Sequence, residues 1–365
     1  MSQADNPGAE SATSTTDFEP EVEPPSLEPT TTTGLTQTAR RERRNQRLLD
    51  FTEKYALLVA FGAMFLFFSV WPKTSSTFPT AANIKNVLGN EAVFGLLALA
   101  IIIPLAAGEF DFSVGSVAGL SQVLCAGFMS RLGMPPILAV LIPIGIGAGI
   151  GLLNGNTVAR IGVNSLIVTL GVSNVLLGIV EWYTGGQTII NNISQGLINF
   201  GSGDWLGLPR TFYFLVIVAI LVHFLLEHTP FGRYLYSIGS NRDAARLVGL
   251  RVENYVLLGF VLSGTLAGIA GILLVARNGS GSPQVGTIVD SLQALAAAYL
   301  GATAIKPGRF NVPGTMAAIF FLSFTVTGFS LAGVANWIND TFYGAALFAA
   351  VLVSTIVGRK RAGVT

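Results

Sequence analysis

Few side chains in this sequence are placed to do chemistry, and their spacing narrows what the chain can do. No stretch matches G-x-x-x-x-G-K-[ST], so no loop here cradles the phosphates of ATP. His223 and His228 close an apolar run at no metal-ligand spacing. Cys125 is the only cysteine, which allows neither a disulfide nor a cysteine-based metal site. Nothing resembles a nucleophile with a base and an orienting group. The chain is therefore not an enzyme on this reading, and it carries no cofactor or metal of its own.

What remains is a set of polar residues inside or beside long apolar runs: Asp111, Ser113, Asn154, Thr169, Asn174, Gln293 and Thr303. A polar group in a lipid-embedded segment either hydrogen-bonds a neighbouring helix or lines a route for a polar solute. Beyond the N-terminal tail every acidic residue falls at a run end or in a connection, with Glu91 and Glu109 nearest to exceptions. No proton relay is legible. A route with so few charges suits a neutral, polyhydroxylated solute.

A second feature is a polar island, Gly232 to Leu250, between two apolar runs. Ser240 or Asn241 can cap a helix start there, and Gly249 can end the helix in the left-handed conformation. Between them Ala244, Ala245, Leu247 and Val248 give a short helix one small apolar face. Such a helix in water reads as a docking surface, and a charge placed at Ala245 is the expected probe of it.

The elements that position these residues follow from composition. The chain is 51% hydrophobic and 11% charged, against about 25% charged in a soluble protein. Its mean hydropathy is +0.61. The fold class is therefore all-α, a polytopic membrane protein of about ten transmembrane helices, since only helices or closed barrels satisfy the backbone in lipid. Runs long enough for about 30 Å of hydrocarbon fall at 54–71, 86–107, 113–130, 136–159, 164–183, 211–227, 254–276, 288–304, 311–331 and 337–358. The run at 113–130 can equally be a broken or re-entrant piece.

Both termini then lie on one side. Placing them in the cytoplasm puts sixteen of the 21 basic residues inside and leaves Lys73, Lys85, Arg131, Arg210 and Arg277 outside. Trp71, Trp182, Trp205 and Trp337 all fall at the outer face, as interfacial anchors do. The polar island becomes cytoplasmic. Residues 1–48 read as a disordered tail, acidic and then basic, and 49–365 as one transmembrane domain. Glycines at 147, 151 and 155, and at 264, 268 and 271, have the spacing of helix–helix contacts.

Several separated stretches resemble one family. Gly108-Glu109-Phe110-Asp111-Phe112-Ser113-Val114-Gly115-Ser116 is similar to G-G-I-D-L-S-V-G-S. Gly151-Leu152-Leu153-Asn154-Gly155 with Val158-Ala159-Arg160 resembles G-x-x-N-G-x-x-V-A, and Leu166 to Gly171 resembles F-I-V-T-L-G. Thr229-Pro230-Phe231-Gly232-Arg233 through Gly249 is similar to T-x-F-G-R-x-I-Y-A-I-G-G-N-x-x-A-A-R-L-S-G-I. These belong to the membrane permeases of ATP-binding-cassette (ABC) sugar importers, the ribose, xylose and galactose group that includes autoinducer-2 permeases.

The resemblance implies a multi-pass protein of the bacterial inner membrane that works as a second permease subunit's partner, in a homodimer or a heterodimer. It further implies an ABC ATPase subunit carrying ATP and Mg, an extracytoplasmic sugar-binding protein and no nucleic-acid partner. Asn241, Arg242, Asp243, Ala244, Ala245, Arg246, Leu247 and Gly249 would form the helix that couples to the ATPase, with Arg233, Arg242 and Arg246 meeting its acidic groups. The chain departs from the pattern at Glu109 (for Gly), at Phe112 (for Leu), at Gln293 (for Asp) and over Ala302 to Phe310, where the family reads G-T-S-L-x-G-G-x-G. A branched-chain amino acid importer of the same fold is one alternative, and an ion-coupled secondary carrier is another.

Overall fold

The computed structural model describes residues 54–335 and 337–361, so the 1–48 tail lies outside the described residues. Among these residues ten apolar helices fall on the ten predicted runs. They are α1 (Lys54–Val70), α2 (Ala81–Ala106), α3 (Val114–Ser130), α4 (Pro136–Asn156), α5 (Ser165–Thr184), α7 (Arg210–His228), α10 (Val252–Asn278), α11 (Ile288–Ala302), α12 (Val312–Leu331) and α13 (Trp337–Arg361). Three further helices occupy connections: α6 (Gln195–Ser202), α8 (Pro230–Ser240) and α9 (Arg242–Leu247). A two-residue hairpin, β1 (Asp204–Trp205) with β2 (Leu208–Pro209), precedes α7.

Six helices, α2, α4 with the turn after it, α5, α7, α10 and α12, are long and apolar enough to cross a bilayer. The other four apolar helices are shorter. Thus α3, at 17 residues, reaches only about 25 Å at 1.5 Å per residue. It is also buried almost throughout, from Val114 to Met129. The protein is an all-α, polytopic membrane protein, with α3 sealed inside the bundle rather than facing lipid.

Local sequence sets the joints. α4 runs into a wide turn, Thr157–Ile161, and Gly162 stops it with φ of 84°. The Asn164 side chain then accepts the N–H groups of Leu166 and Ile167 and starts α5. Thr229 caps α8 by accepting the Gly232 N–H, and Pro230 sits in the first turn, where no donor is needed.

The core is built around α10, which packs on α2, α3 and α4. The α4–α10 seam is made of glycine: a Cβ on Gly151 would strike the Phe260 carbonyl, and one on Gly264 would strike the carbonyl of Gly147. The two backbones touch directly, as the spacing of these glycines predicts. At the far side an aromatic cluster of Phe61, Phe65, Phe68, Phe78 and Phe324 ties α1 to α12.

Each end of the bundle gathers the segments that the span count assigns to it. At one end Lys85 pairs with Asp204 at 3.0 Å, the Arg277 Nε donates to Asn90 Oδ1 at 2.9 Å, and Arg210 donates to the Asn199 carbonyl at 3.2 Å. At the other, Lys306 pairs with Glu227 at 2.7 Å, and the Ile305 N–H donates to the Lys54 carbonyl at 3.0 Å. Arg246 pairs there with Glu253 at 2.7 Å.

Candidate functional site

The polar island folds as a helix–turn–helix. α8 leads into Asn241, whose side chain accepts the Ala244 N–H at 2.9 Å and caps α9. Gly249 ends the segment with φ of +82°. Of the two residues able to cap, Asn241 does so. The apolar face differs from the sequence expectation. Ala245 is buried against the protein, whereas Leu247 is 88% exposed and Val248 78% exposed. In this six-residue helix Ala245 and Leu247 stand two positions apart, on nearly opposite sides at about 3.6 residues per turn, so spacing alone does not choose the inward side. A charge at Ala245 would therefore disrupt packing, and Leu247 and Val248 are the positions that face out.

The island's cations are also largely committed within the chain. Arg246 pairs with Glu253, and the Arg242 guanidinium donates to Glu109 Oε1 at 2.5 Å. Arg233 alone of the three is exposed and outside these pairs among the described residues.

Glu109 opens the loop that joins α2 to α3, and that loop dips into the bundle. Asp111 is 1% exposed. Its Oδ1 accepts the Ser113 N–H at 3.0 Å and the Ser113 hydroxyl at 2.6 Å, and its Oδ2 accepts the Ser263 hydroxyl at 2.8 Å. Ser263 stands eleven residues into α10, about 16 Å from its start at 1.5 Å per residue. The sequence places Asp111 in a connection, and the structure shows that this connection is buried. Burial is tolerated because every contact is a donor to the carboxylate, and hydrogen bonds to a charged group are the strong ones. Among the described residues no basic side chain pairs with it.

The rest of the loop is pinned as tightly. Phe110 N–H donates to Ser165 Oγ at 3.1 Å, and Phe112 N–H donates to Thr169 Oγ1 at 3.1 Å. The Ser291 hydroxyl donates to the Phe112 carbonyl at 2.9 Å, and the Asn154 amide donates to Ser113 Oγ at 2.9 Å. One short loop thus bonds to α4, α5, α10 and α11.

Four of the seven polar residues singled out from sequence meet in this knot: Asp111, Ser113, Asn154 and Thr169. All are buried, and in this conformation they join helices. The other three lie elsewhere. Asn174 is exposed and bonds its own helix at the Leu170 carbonyl, and Thr303 bonds the Leu300 carbonyl at the end of α11. Gln293 lines a cleft of about 260 Å³ between α11 and α13, with Asp340 and Tyr343. Sequence reasoning misses Ser165, Ser263 and Ser291, because a single serine in an apolar run carries no sign of which helix it will meet.

Residues 83–351 match the family described as branched-chain amino acid transport system / permease component. The chain belongs to that family. Among similar proteins, the ribose import permease of Escherichia coli strain K12 is 31% identical over 80% of this chain and 91% of its own length. The ribose import permease of Bacillus subtilis strain 168 is 31% identical over 84% of this chain and 95% of its own. The L-arabinose transport system permease of Escherichia coli strain K12 is 30% identical over 82% and 90%. No solved structure matches. The span of these matches takes in the buried knot and the capped helix of this permease alike.

Proposed function

We propose that this permease is the membrane subunit of a bacterial ABC importer and forms the route for a monosaccharide. ATP is hydrolysed on a separate subunit, solute arrives on an extracytoplasmic binding protein, and a second permease subunit completes the route. The termini and the α8–α9 segment face the cytoplasm, which follows the distribution of Lys and Arg. The observation that carries the reading is α9 itself: a capped helix at the basic-rich end of the bundle, presenting Leu247 and Val248 outward. Two neighbouring large apolar side chains exposed in water mark an interaction site. An ion-driven carrier leaves that helix without a use.

The solute class is supported by the relatives, which are named for ribose and L-arabinose. Of the residues considered for the route, Gln293 faces open space, in the cleft with Asp340 and Tyr343. The test is uptake into proteoliposomes holding the permease, its ATPase and its binding protein, with labelled ribose, arabinose, xylose and leucine. A labelled pentose should accumulate only with ATP and the binding protein present. Uphill uptake without ATP, or uptake of leucine alone, would overturn the assignment.

A further inference from the structure

The helix that faces the proposed ATPase and the buried knot are joined by one ion pair, Glu109–Arg242. It bridges positions 133 apart in the chain. Arg242 is the first residue of α9, next to the Asn241 cap, and a third of its side chain is exposed; the Glu109 side chain is 11% exposed. Two residues beyond Glu109, Asp111 is held by Ser113 and Ser263 deep in the bundle. Any shift of the start of α9 therefore pulls on a loop whose next bonds reach α4, α5, α10 and α11. The backbone before the pair is jointed: Gly108 has φ of +80°, where L side chains are strained, and a Cβ there would meet Gly239 of α8 at 3.6 Å.

We propose that Glu109 and Arg242 are positioning residues that transmit movement of the ATPase-docking helix to the buried 108–113 loop. The proposal rests on the ABC importer reading. Glu109 is also a departure from the glycine of the resembled motif, so this chain carries a handle that a glycine would lack. The pair faces a cleft of about 540 Å³ that Arg160, Arg246 and Glu253 also line. That space lets the two charges be exchanged, with imperfect surroundings: an arginine at 109 would meet Arg160, and a glutamate at 242 would meet Glu253.

The experiment uses the full complex in proteoliposomes, measuring ATP hydrolysed and labelled pentose taken up by the same vesicles. Glu109→Gln keeps the side-chain shape and removes the charge. Solute moved per ATP should fall about fivefold, because the amide oxygen still accepts from Arg242 but the charge on the acceptor is gone, while the ATPase still copurifies in wild-type ratio. The exchange Glu109→Arg with Arg242→Glu should recover part of that ratio, and Arg242→Lys most of it. A merely structural pair would lower the amount of assembled complex and leave solute per ATP unchanged. An unchanged ratio in Glu109→Gln, or no recovery in both rescue variants, overturns the proposal. Should wild-type uptake prove independent of ATP, the importer reading fails and this inference fails with it, a result visible before any variant is made.

Discussion

Replacing Leu247 and Val248 together by alanine tests the docking surface at the two positions that face out. Three carbons leave at Leu247 and two at Val248, each worth about 0.8 kcal/mol when taken fully out of water. Complete burial in a partner cleft would put the loss near 4 kcal/mol, and burial of half that surface near 2 kcal/mol. The second figure corresponds to roughly a 30-fold weaker association. Because both side chains are largely exposed in the chain itself, the fold should be unaffected, within the ±0.5 kcal/mol or so usual for surface changes. The assay is titration of the purified ATPase subunit onto the permease in lipid nanodiscs, with thermal stability of the permease followed alongside. The expected result is a Kd raised about 30-fold at unchanged stability. A Kd within about twofold of wild type, below the effect of one buried methylene, would refute docking through this helix.

Two further predictions concern the bundle. Asp111→Asn keeps an acceptor toward Ser113 and lets the Ser263 hydroxyl turn to accept, so it should cost under about 1 kcal/mol, whereas Asp111→Ala strands the Ser113 N–H and two hydroxyls and should cost about 3 kcal/mol or more. Thermal melts in detergent should rank wild type, Asn and Ala in that order, and equal losses would show the carboxylate contacts to be incidental. Gly151→Leu drives a side chain into the α10 backbone at Phe260 and should cost more than the roughly 1–3 kcal/mol of ordinary overpacking, read as loss of monodisperse protein on size exclusion; wild-type behaviour would disprove the close seam.

The fold was legible wherever hydrophobicity alone decides. All ten apolar helices lie on predicted runs, since a run of that length and composition leaves the backbone no other way to satisfy itself in lipid. Caps were legible for the same reason of local chemistry: the Asn241 side chain accepts an N–H, and Gly249, with no Cβ, takes the left-handed turn. Facing was not. Ala245 and Leu247 lie on nearly opposite sides of the short α9, and tertiary packing against the bundle chooses Ala245 as the inward one. Asp111 looked like a loop residue, and its burial depends on Ser263, 152 positions away. The connections also hide structure: α6 and the β1–β2 hairpin come from stretches with no sustained period. Asn174 and Thr303 turn back onto their own helices, an outcome any polar residue in a span can adopt.

The glycine seam between α4 and α10 has a mechanical consequence. Where two backbones approach this closely over several turns, neither helix can tilt or turn without driving main-chain atoms together. Those two helices must travel as one rigid strut. Opening and closing then fall to less closely joined parts, such as the two walls of the α11–α13 cleft, so a cross-link between the strut's halves should leave turnover intact where one across α11 and α13 arrests it.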